Sequence, residues 1–364
     1  MTGQHRIVVL GAGYAGLAAA RRLARTARDA HITVVDARAS FVERVRLHQY
    51  SAGQSIPEWD LRELLEPKRI HFVRAWARWI DSDHKQVILD GAPDLEYDSL
   101  IYALGSTNDP AGVPGVAEYA YSVSTPEDSE YLRGGIPAGR IVVVGGGATG
   151  IELAAELAES RPDARVVLLG SDEPAAWLST RARDHVRRAL ERLGVEIRSD
   201  AKVIEVTPEG VRLADGSVVE AAVTVWTAGF GVPELAERAG LSVDGHGRVL
   251  TDETLRSVSH PDVYAAGDAA VIAGPGGREL RMACATALPT GKYAADAVVA
   301  RLAGRAPREL RFRYFFQCIS LGRRDGVIQF LHADDSPGRT VLTGRTAAWF
   351  KERIVRGAAG AARP

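Results

Sequence analysis

Two glycine triplets with the spacing of a phosphate cradle carry the most specific chemistry in this chain. Gly11-Ala12-Gly13-Tyr14-Ala15-Gly16 follows the short apolar run Arg6 to Leu10 and opens the helical run Leu17 to Leu23. A second apolar run, Ile32 to Val35, ends in Asp36. Each glycine has a physical reason to be there. Gly11 permits a tight turn, Gly13 lets backbone approach a pyrophosphate, and Gly16 lets the helix pack on the strand. Ala12, Tyr14 and Ala15 complete the turn. The N–H groups at the start of the helix, with the positive end of its dipole, face the phosphates. Asp36 is placed to accept hydrogen bonds from a ribose.

The same order recurs further on. Arg140 to Val144 leads into Gly145-Gly146-Gly147-Ala148-Thr149-Gly150, then the helical run Ile151 to Leu157 and the strand Arg165 to Leu169. Gly145, Gly147, Thr149 and Gly150 are the corresponding candidates. The acid position here holds Gly170, followed by Ser171. A glutamate there would favour NADH. A glycine removes the clash with a 2′-phosphate, and Ser171 can donate to one. Asp172 and Glu173, not an arginine, come next. The expectation leans to NADPH or dual use over strict NADH.

These motifs need elements to position them. Two strand–turn–helix–strand units imply an α/β chain with two dinucleotide-binding domains, each a parallel sheet wrapped by helices. Further strands are expected at Phe72 to Ile80, Gln86 to Leu89, Tyr97 to Tyr102, Val203 to Val206, Val223 to Gly229 and Val263 to Asp268. A helix is expected from Tyr293 to Leu302. The 364 residues leave room for two or three domains. A net charge of −1 gives no pull toward nucleic acid. No run reaches about 18 uninterrupted apolar residues, so no membrane span is expected. The first strand begins at Arg6, too early for a signal peptide, and the two cysteines suggest a reducing compartment, the cytosol. No cysteine or histidine grouping has metal-ligand spacing. From Arg301 to Pro364 the chain carries thirteen basic and five acidic residues, a local +8, so the other 300 residues carry −9.

With four motifs in order, Thr251 to Ala269 resembles the second flavin fingerprint of the two-dinucleotide-domain flavoprotein oxidoreductases. Ala103-Leu104-Gly105-Ser106 and Thr227-Ala228-Gly229 resemble the paired crossover segments of that superfamily. The resemblance covers roughly residues 5 to 303. It implies two Rossmann-like domains: a discontinuous FAD domain at 1–115 and 247–303, an NAD(P)H domain inserted at 116–246, and a small C-terminal cap at 304–364. Asp268, after Gly267, would then bond the ribityl chain of FAD, with Gly105 and Gly229 at the crossovers. Disulfide reductases of the superfamily need two thiols near the flavin. Phe41 to Gly53 has none, and Cys284 and Cys318 lie far downstream, so dithiol chemistry is not expected.

Arg281 to Leu288 and Ile319 to Val327 look like the type II NADH dehydrogenases, and most like the shorter apoptosis-inducing-factor-like quinone reductases, the ferroptosis suppressor type. That resemblance implies an FAD-dependent NAD(P)H:quinone oxidoreductase: NADPH or NADH to FAD, then a quinone-like acceptor. A helix starting near Met282 would point its N-terminus at the flavin, with Ala287 in its first turns. Leu288 and Pro289 stand where the longer type II enzymes have glutamines.

Glu152 is expected near the nicotinamide, though an acid is favourable in any first helical turn. Cys284 is a candidate for the acceptor face of the flavin, or a small buried residue. His48 and Gln49 lie where family members approach the flavin. Ala77 is placed to pair its backbone with the adenine. Trp349 either walls the acceptor site or caps the core. The stretch Ala347 to Arg356 is a basic amphipathic helix of the kind that lies on anionic membrane surfaces as a peripheral contact; folding back on the acidic body is the favoured alternative. Two competing readings stay open: a reductase for a small carrier protein such as ferredoxin or rubredoxin, and a redox sensor. The chain is expected to be a monomer or homodimer.

Overall fold

The computed structural model describes residues 4–110, 112–135 and 139–362. Two five-stranded parallel sheets organise it. In the first, the strand order is Val263–Ala265, Ser99–Tyr102, Arg6–Leu10, His31–Asp36, His71–Arg74. In the second it is Ala120–Tyr121, Val223–Trp226, Arg140–Val144, Arg165–Leu169, Glu196–Arg198. The central strands are Val/Ile/Leu runs with both faces buried, as parallel strands covered by helices must be. Register is matched in the two units: Val9 pairs with Val34, and Val143 with Leu168.

Two helices carry the glycine turns, Tyr14–Thr26 and Ala148–Ser160. Each sheet also has a three-stranded antiparallel companion, Trp76–Asp81 with Gln86–Asp90 and Leu95–Glu96, and Val203–Thr207 with Gly210–Leu213 and Val218–Glu220. A third such sheet, Phe316–Ser320, Gly326–Leu331 and Pro337–Thr343, precedes the helix Gly344–Ala362.

Two expected elements differ. The single strand expected from Phe72 to Ile80 is two strands. His71–Arg74 finishes the first parallel sheet, and Trp76–Asp81 leaves to the antiparallel one. Ala75 is the corner, its N–H bonded to the Asp36 carbonyl at 3.0 Å. Apolar spacing runs through this corner unbroken, so the sequence hides it. The helix expected at Tyr293 to Leu302 and the one expected to start near Met282 are a single helix, Cys284–Leu302, which contains Pro289.

The C-terminal segment does not stand apart. Ile319, Leu321, Val327 and Val341 join the core around the second sheet. Tyr314, Ala359 and Ala362 join the core around the first, as do Leu235 to Leu241 of the intervening chain. The last helix buries Ala347, Lys351, Val355, Ala359 and Ala362, a stripe at steps of four and three. Arg21 of the first glycine-turn helix donates to its last carbonyls, Gly360 and Ala361, at 3.1 Å. The tail folds back on the body.

Candidate functional site

The first turn is built by close approach. Gly11 has φ +96°, and a Cβ there would lie 2.4 Å from the Ala103 carbonyl oxygen. At Gly16 a Cβ would lie 1.8 Å from the Gly11 oxygen, so no other residue fits. Gly13 is the opposite case: nothing lies within 4 Å of its Cβ position. That is an open cradle at the start of a 13-residue helix with no side-chain cap. Ala12 N–H donates to Asp36 Oδ2 at 2.7 Å, and Arg38 N–H to Oδ1 at 2.9 Å, so the acid is held beside the turn. Tyr14 is buried against the Phe41 edge, and burial pushes its phenol up. These residues fit a dinucleotide.

The far end of this groove carries a second sign of fit. Asp268 Oδ2 accepts from Ser106 Oγ at 2.7 Å, but its buried Oδ1 has no partner among the described residues. Arg44 Nη1 holds Ser106 O and Oγ at 2.6 and 2.9 Å, and Arg44 Nη2 is likewise buried and unpaired. An orphaned acceptor and an orphaned donor are costly unless something polar completes them. Gly267 has φ +72°, and its Cβ position lies 3.0 Å from Ala15 Cβ and 3.7 Å from Ala287 Cβ. Thus Ala15, Gly267 and Ala287 pack at one point. The helix Cys284–Leu302 starts there, with no side-chain cap. Gly105 and Gly229 both take positive φ, and the segments after them pair as Thr107–Asn108 with Phe230–Gly231, which ties the two crossovers together.

The second turn repeats the first. Gly145 has φ +124°, Gly150 has a Cβ position 1.9 Å from the Gly145 oxygen, and Gly147 opens on free space. Thr149 is half-buried in the first turn of the helix. Ser171 is exposed and donates to Asp172 Oδ2 at 3.3 Å.

Where the parts meet, a buried polar cluster forms. Glu152 Oε1 accepts from Ser320 N at 2.9 Å and is in contact with Lys351 Nζ. Lys351 Nζ also donates to Ser320 Oγ at 3.2 Å. His48 Nδ1 lies 3.7 Å from Glu152 Oε2, and its Nε2 lies 3.4 Å from Ser320 Oγ. Burial pushes the His48 imidazole well below its ordinary range, and the charges of Lys351, Arg323 and Arg46 add to that, so it stays neutral. Burial pushes the Lys351 ammonium down, to about 7, and Arg46 adds to this; Glu352 opposes it, as does an ionised Glu152. Gln49 Oε1 accepts from Arg46 Nη1 at 3.1 Å, and Arg46 also holds Glu43 and Glu352 at 2.8 and 2.9 Å.

One helix face receives the C-terminal segment. Glu152, Glu156 and Glu159 stand at i, i+4 and i+7 of the helix Ala148–Ser160. Glu156 meets Arg323 Nη1 at 3.4 Å, and Glu159 accepts from Arg323 N at 2.6 Å. Burial pushes the Glu156 carboxyl up. The basic tail and the acidic body therefore meet here. Beside the cluster is a cleft of about 320 Å³, lined among others by Gln49, Arg323, Trp349, Lys351 and Glu352. Trp349, 64% exposed, stands on it with Arg353 over its ring at 5.9 Å.

The chain matches the family described as pyridine nucleotide-disulphide oxidoreductase over residues 5–291. It belongs to that family. Relatives include an NADH dehydrogenase-like protein of Mycobacterium tuberculosis (strain CDC 1551 / Oshkosh), 33% identical, with 96% of this chain and 92% of the relative covered. A type II NADH:quinone oxidoreductase of Mycobacterium tuberculosis (strain ATCC 25618 / H37Rv) is 30% identical, covering 86% and 76%. The sulfide:quinone oxidoreductase of Aquifex aeolicus has the same fold, with a TM-score of 0.84 over 99% of this chain and 91% of that one, at 19% identity. An oxidoreductase with two Rossmann-like units is thereby shown.

The family's description names a disulphide, which turns attention to the cysteines. Cys284 and Cys318 are both free and half-buried. Burial pushes both thiols up, Cys318 to about 12, away from the thiolate that sulfur chemistry needs. Ala77 sits on the antiparallel strand opposite Leu89, at a register shift. Among the described residues there is no metal-binding group of acidic, histidine or cysteine side chains, and no helix long and apolar enough to cross a membrane. Sequence reasoning missed Arg44, Arg46, Ser106, Ser320 and Lys351. Ser106 and Ser320 lie in segments already singled out by resemblance, and Lys351 stands out as one of five lysines beside 40 arginines. A lysine is the cation that can lose its proton at working pH.

Proposed function

We propose that the protein is an FAD-dependent NAD(P)H:quinone oxidoreductase. The first turn, with Asp36, Asp268 and the half-empty Arg44–Ser106 arrangement, holds FAD, and the second turn holds NADH or NADPH. Residues 1–115 and 247–303 form the FAD unit, 116–246 the NAD(P)H unit and 304–364 the cap. Bound FAD supplies hydride acceptance from the nicotinamide and electron delivery to the acceptor.

The observation that carries this reading is the buried Glu152–Lys351 pair at the seam of the two units and the cap. Quinone reduction consumes protons as well as electrons, and a buried carboxyl beside a lysine that burial pushes down can hold and release one. Ser320 fixes both partners, and neutral His48 lends a hydrogen bond without adding charge. Trp349 walls the acceptor cleft. Cys284 starts a helix whose positive end faces the Asp268 region and favours negative charge there.

Consumption of NADH and NADPH with menadione as acceptor tests this. Turnover that is insensitive to salt supports a quinone. Turnover only with an added acidic carrier protein, falling steeply with ionic strength, would replace the quinone by such a carrier.

A further inference from the structure

Two clefts on the C-terminal segment share a pair of arginines. One is the cleft of about 320 Å³ beside Trp349 and Lys351. The other, of about 300 Å³, reaches Leu193, just past the helix Thr180–Arg192. Arg324 and Arg345 line both, so they stand where the two clefts meet. Arg324 comes from the loop between the strands Phe316–Ser320 and Gly326–Leu331, and Arg345 from the first turn of the helix Gly344–Ala362. The loop is tied down along its length. Leu321 N–H donates to the Asp325 carbonyl at 3.0 Å, Arg323 N–H to Glu159 Oε2 at 2.6 Å, and Gly326 N–H to Asp325 Oδ1 at 2.7 Å. Arg324 is thus a long side chain on a fixed backbone.

The carboxylates around these clefts are already engaged. Glu352 meets Arg46 and Arg356, both at 2.9 Å. Asp325 meets His185 Nε2 at 2.8 Å and Arg192 at 2.5 Å. Glu159 takes the Arg323 N–H, and Glu152 is in contact with Lys351. Arg324 and Arg345 are both exposed, and neither has a hydrogen bond, ion pair or ring contact among the described residues. Arg345 also sits in a first helical turn that holds no acid, where the helix dipole disfavours a cation. Nothing in the protein neutralises either charge, so a bound anion would gain both. The lining points the same way. Beside Trp349 the apolar side chains are Ala348, Trp349 and Val355, against the four basic side chains of Arg323, Arg324, Arg345 and Lys351. The exposed indole offers a face to an aromatic ring. Covering four basic groups with a long hydrocarbon tail would strip them of water with no return.

We propose that the acceptor is an aromatic quinone bearing an anionic group such as a carboxylate, with Arg324 and Arg345 holding the anion while the ring lies against Trp349 near Lys351. The proposal rests on this cleft being the acceptor site of the function proposed above. The balance of that reaction is unchanged: NAD(P)H supplies two electrons and one proton, the medium supplies a second proton, and the quinone leaves as the quinol with its anionic group intact. The test is steady-state reduction of 1,4-naphthoquinone-2-sulfonate and of menadione by the holoprotein, in the wild type and in the double variants Arg324→Ala with Arg345→Ala and Arg324→Lys with Arg345→Lys. The wild type is expected to show the lower KM for the sulfonate, rising with ionic strength as the menadione KM does not. The double alanine variant is expected to raise the sulfonate KM about tenfold more than the menadione KM, as loss of charge-assisted contacts would, with kcat moved far less. The double lysine variant, which keeps both charges, is expected to restore most of that loss. A higher wild-type KM for the sulfonate than for menadione, or an equal rise for both quinones in the double alanine variant, would overturn the proposal while menadione turnover still upheld the function. Reduction of neither quinone, with turnover only through an acidic carrier protein, would overturn both.

Discussion

The two glycine turns are near copies in backbone and opposites in what surrounds them. Both use one glycine for positive φ, one for open space and one for a contact under 2 Å that admits no side chain. The first is then closed by side chains: Asp36 at one end, Asp268, Ser106 and Arg44 at the other. The second is closed by backbone at Gly170 and by a glutamate face that the cap covers. A groove lined by fixed, half-satisfied polar groups suits a resident cofactor. A groove whose strand end is backbone with no carboxylate turned back to the turn suits a ligand that comes and goes.

The largest expected effects are at the third glycine of each turn. Gly16→Val forces a side chain into the Gly11 carbonyl and should leave the protein colourless, at a cost above the roughly 1–3 kcal/mol of ordinary overpacking. Gly150→Val should keep the yellow flavin but lose its reduction by NAD(P)H. If both variants lose flavin, or both are still reduced, the assignment of the two grooves breaks. Next in size is Lys351→Arg, which keeps the charge but cannot deprotonate. Acceptor reduction should fall by about 10²–10⁴, and the wild-type rate change through pH of about 7 should vanish. The Lys351 pKa is lowered on folding, so the unfolded chain binds more protons between about 7 and the ordinary lysine range. Stability from this group therefore rises with pH through that window, and Lys351→Met should remove that slope in denaturant titrations. Asp268→Ala should weaken FAD roughly tenfold to a hundredfold, measured by reconstitution of the apoprotein. Trp349→Ala, on an exposed residue, should leave stability within about 0.5 kcal/mol and change only the KM for quinone.

The sequence was most legible where backbone geometry demands a residue type. Gly11, Gly16, Gly145 and Gly150 are fixed by contacts that any Cβ would violate, so spacing alone exposes them. The parallel strands were equally plain, because burial on both faces writes a continuous apolar run. The chain from Arg44 to Asp268 was not legible, since Arg44 reaches Ser106 across 62 residues and the Ser106 hydroxyl in turn reaches the Asp268 carboxylate. The Glu152–Lys351 contact, with His48 beside it, draws on three parts of the chain and follows no local pattern. The corner at Ala75 was hidden for the opposite reason, an apolar rhythm that continues through a change of sheet. Charge bookkeeping did better than periodicity at the tail: a +8 segment on a −9 body anticipates the docking of Arg323 and Lys351 on Glu152, Glu156 and Glu159.

The most direct measurement is the anaerobic visible spectrum of the purified protein before and after NADPH, and again after a quinone is added. A resident flavin in the first groove and a transient dinucleotide in the second predict a yellow protein, bleached by NADPH and restored by menadione. A colourless protein that cannot be reconstituted with FAD, or a yellow one that neither NADPH nor NADH bleaches, would contradict the account.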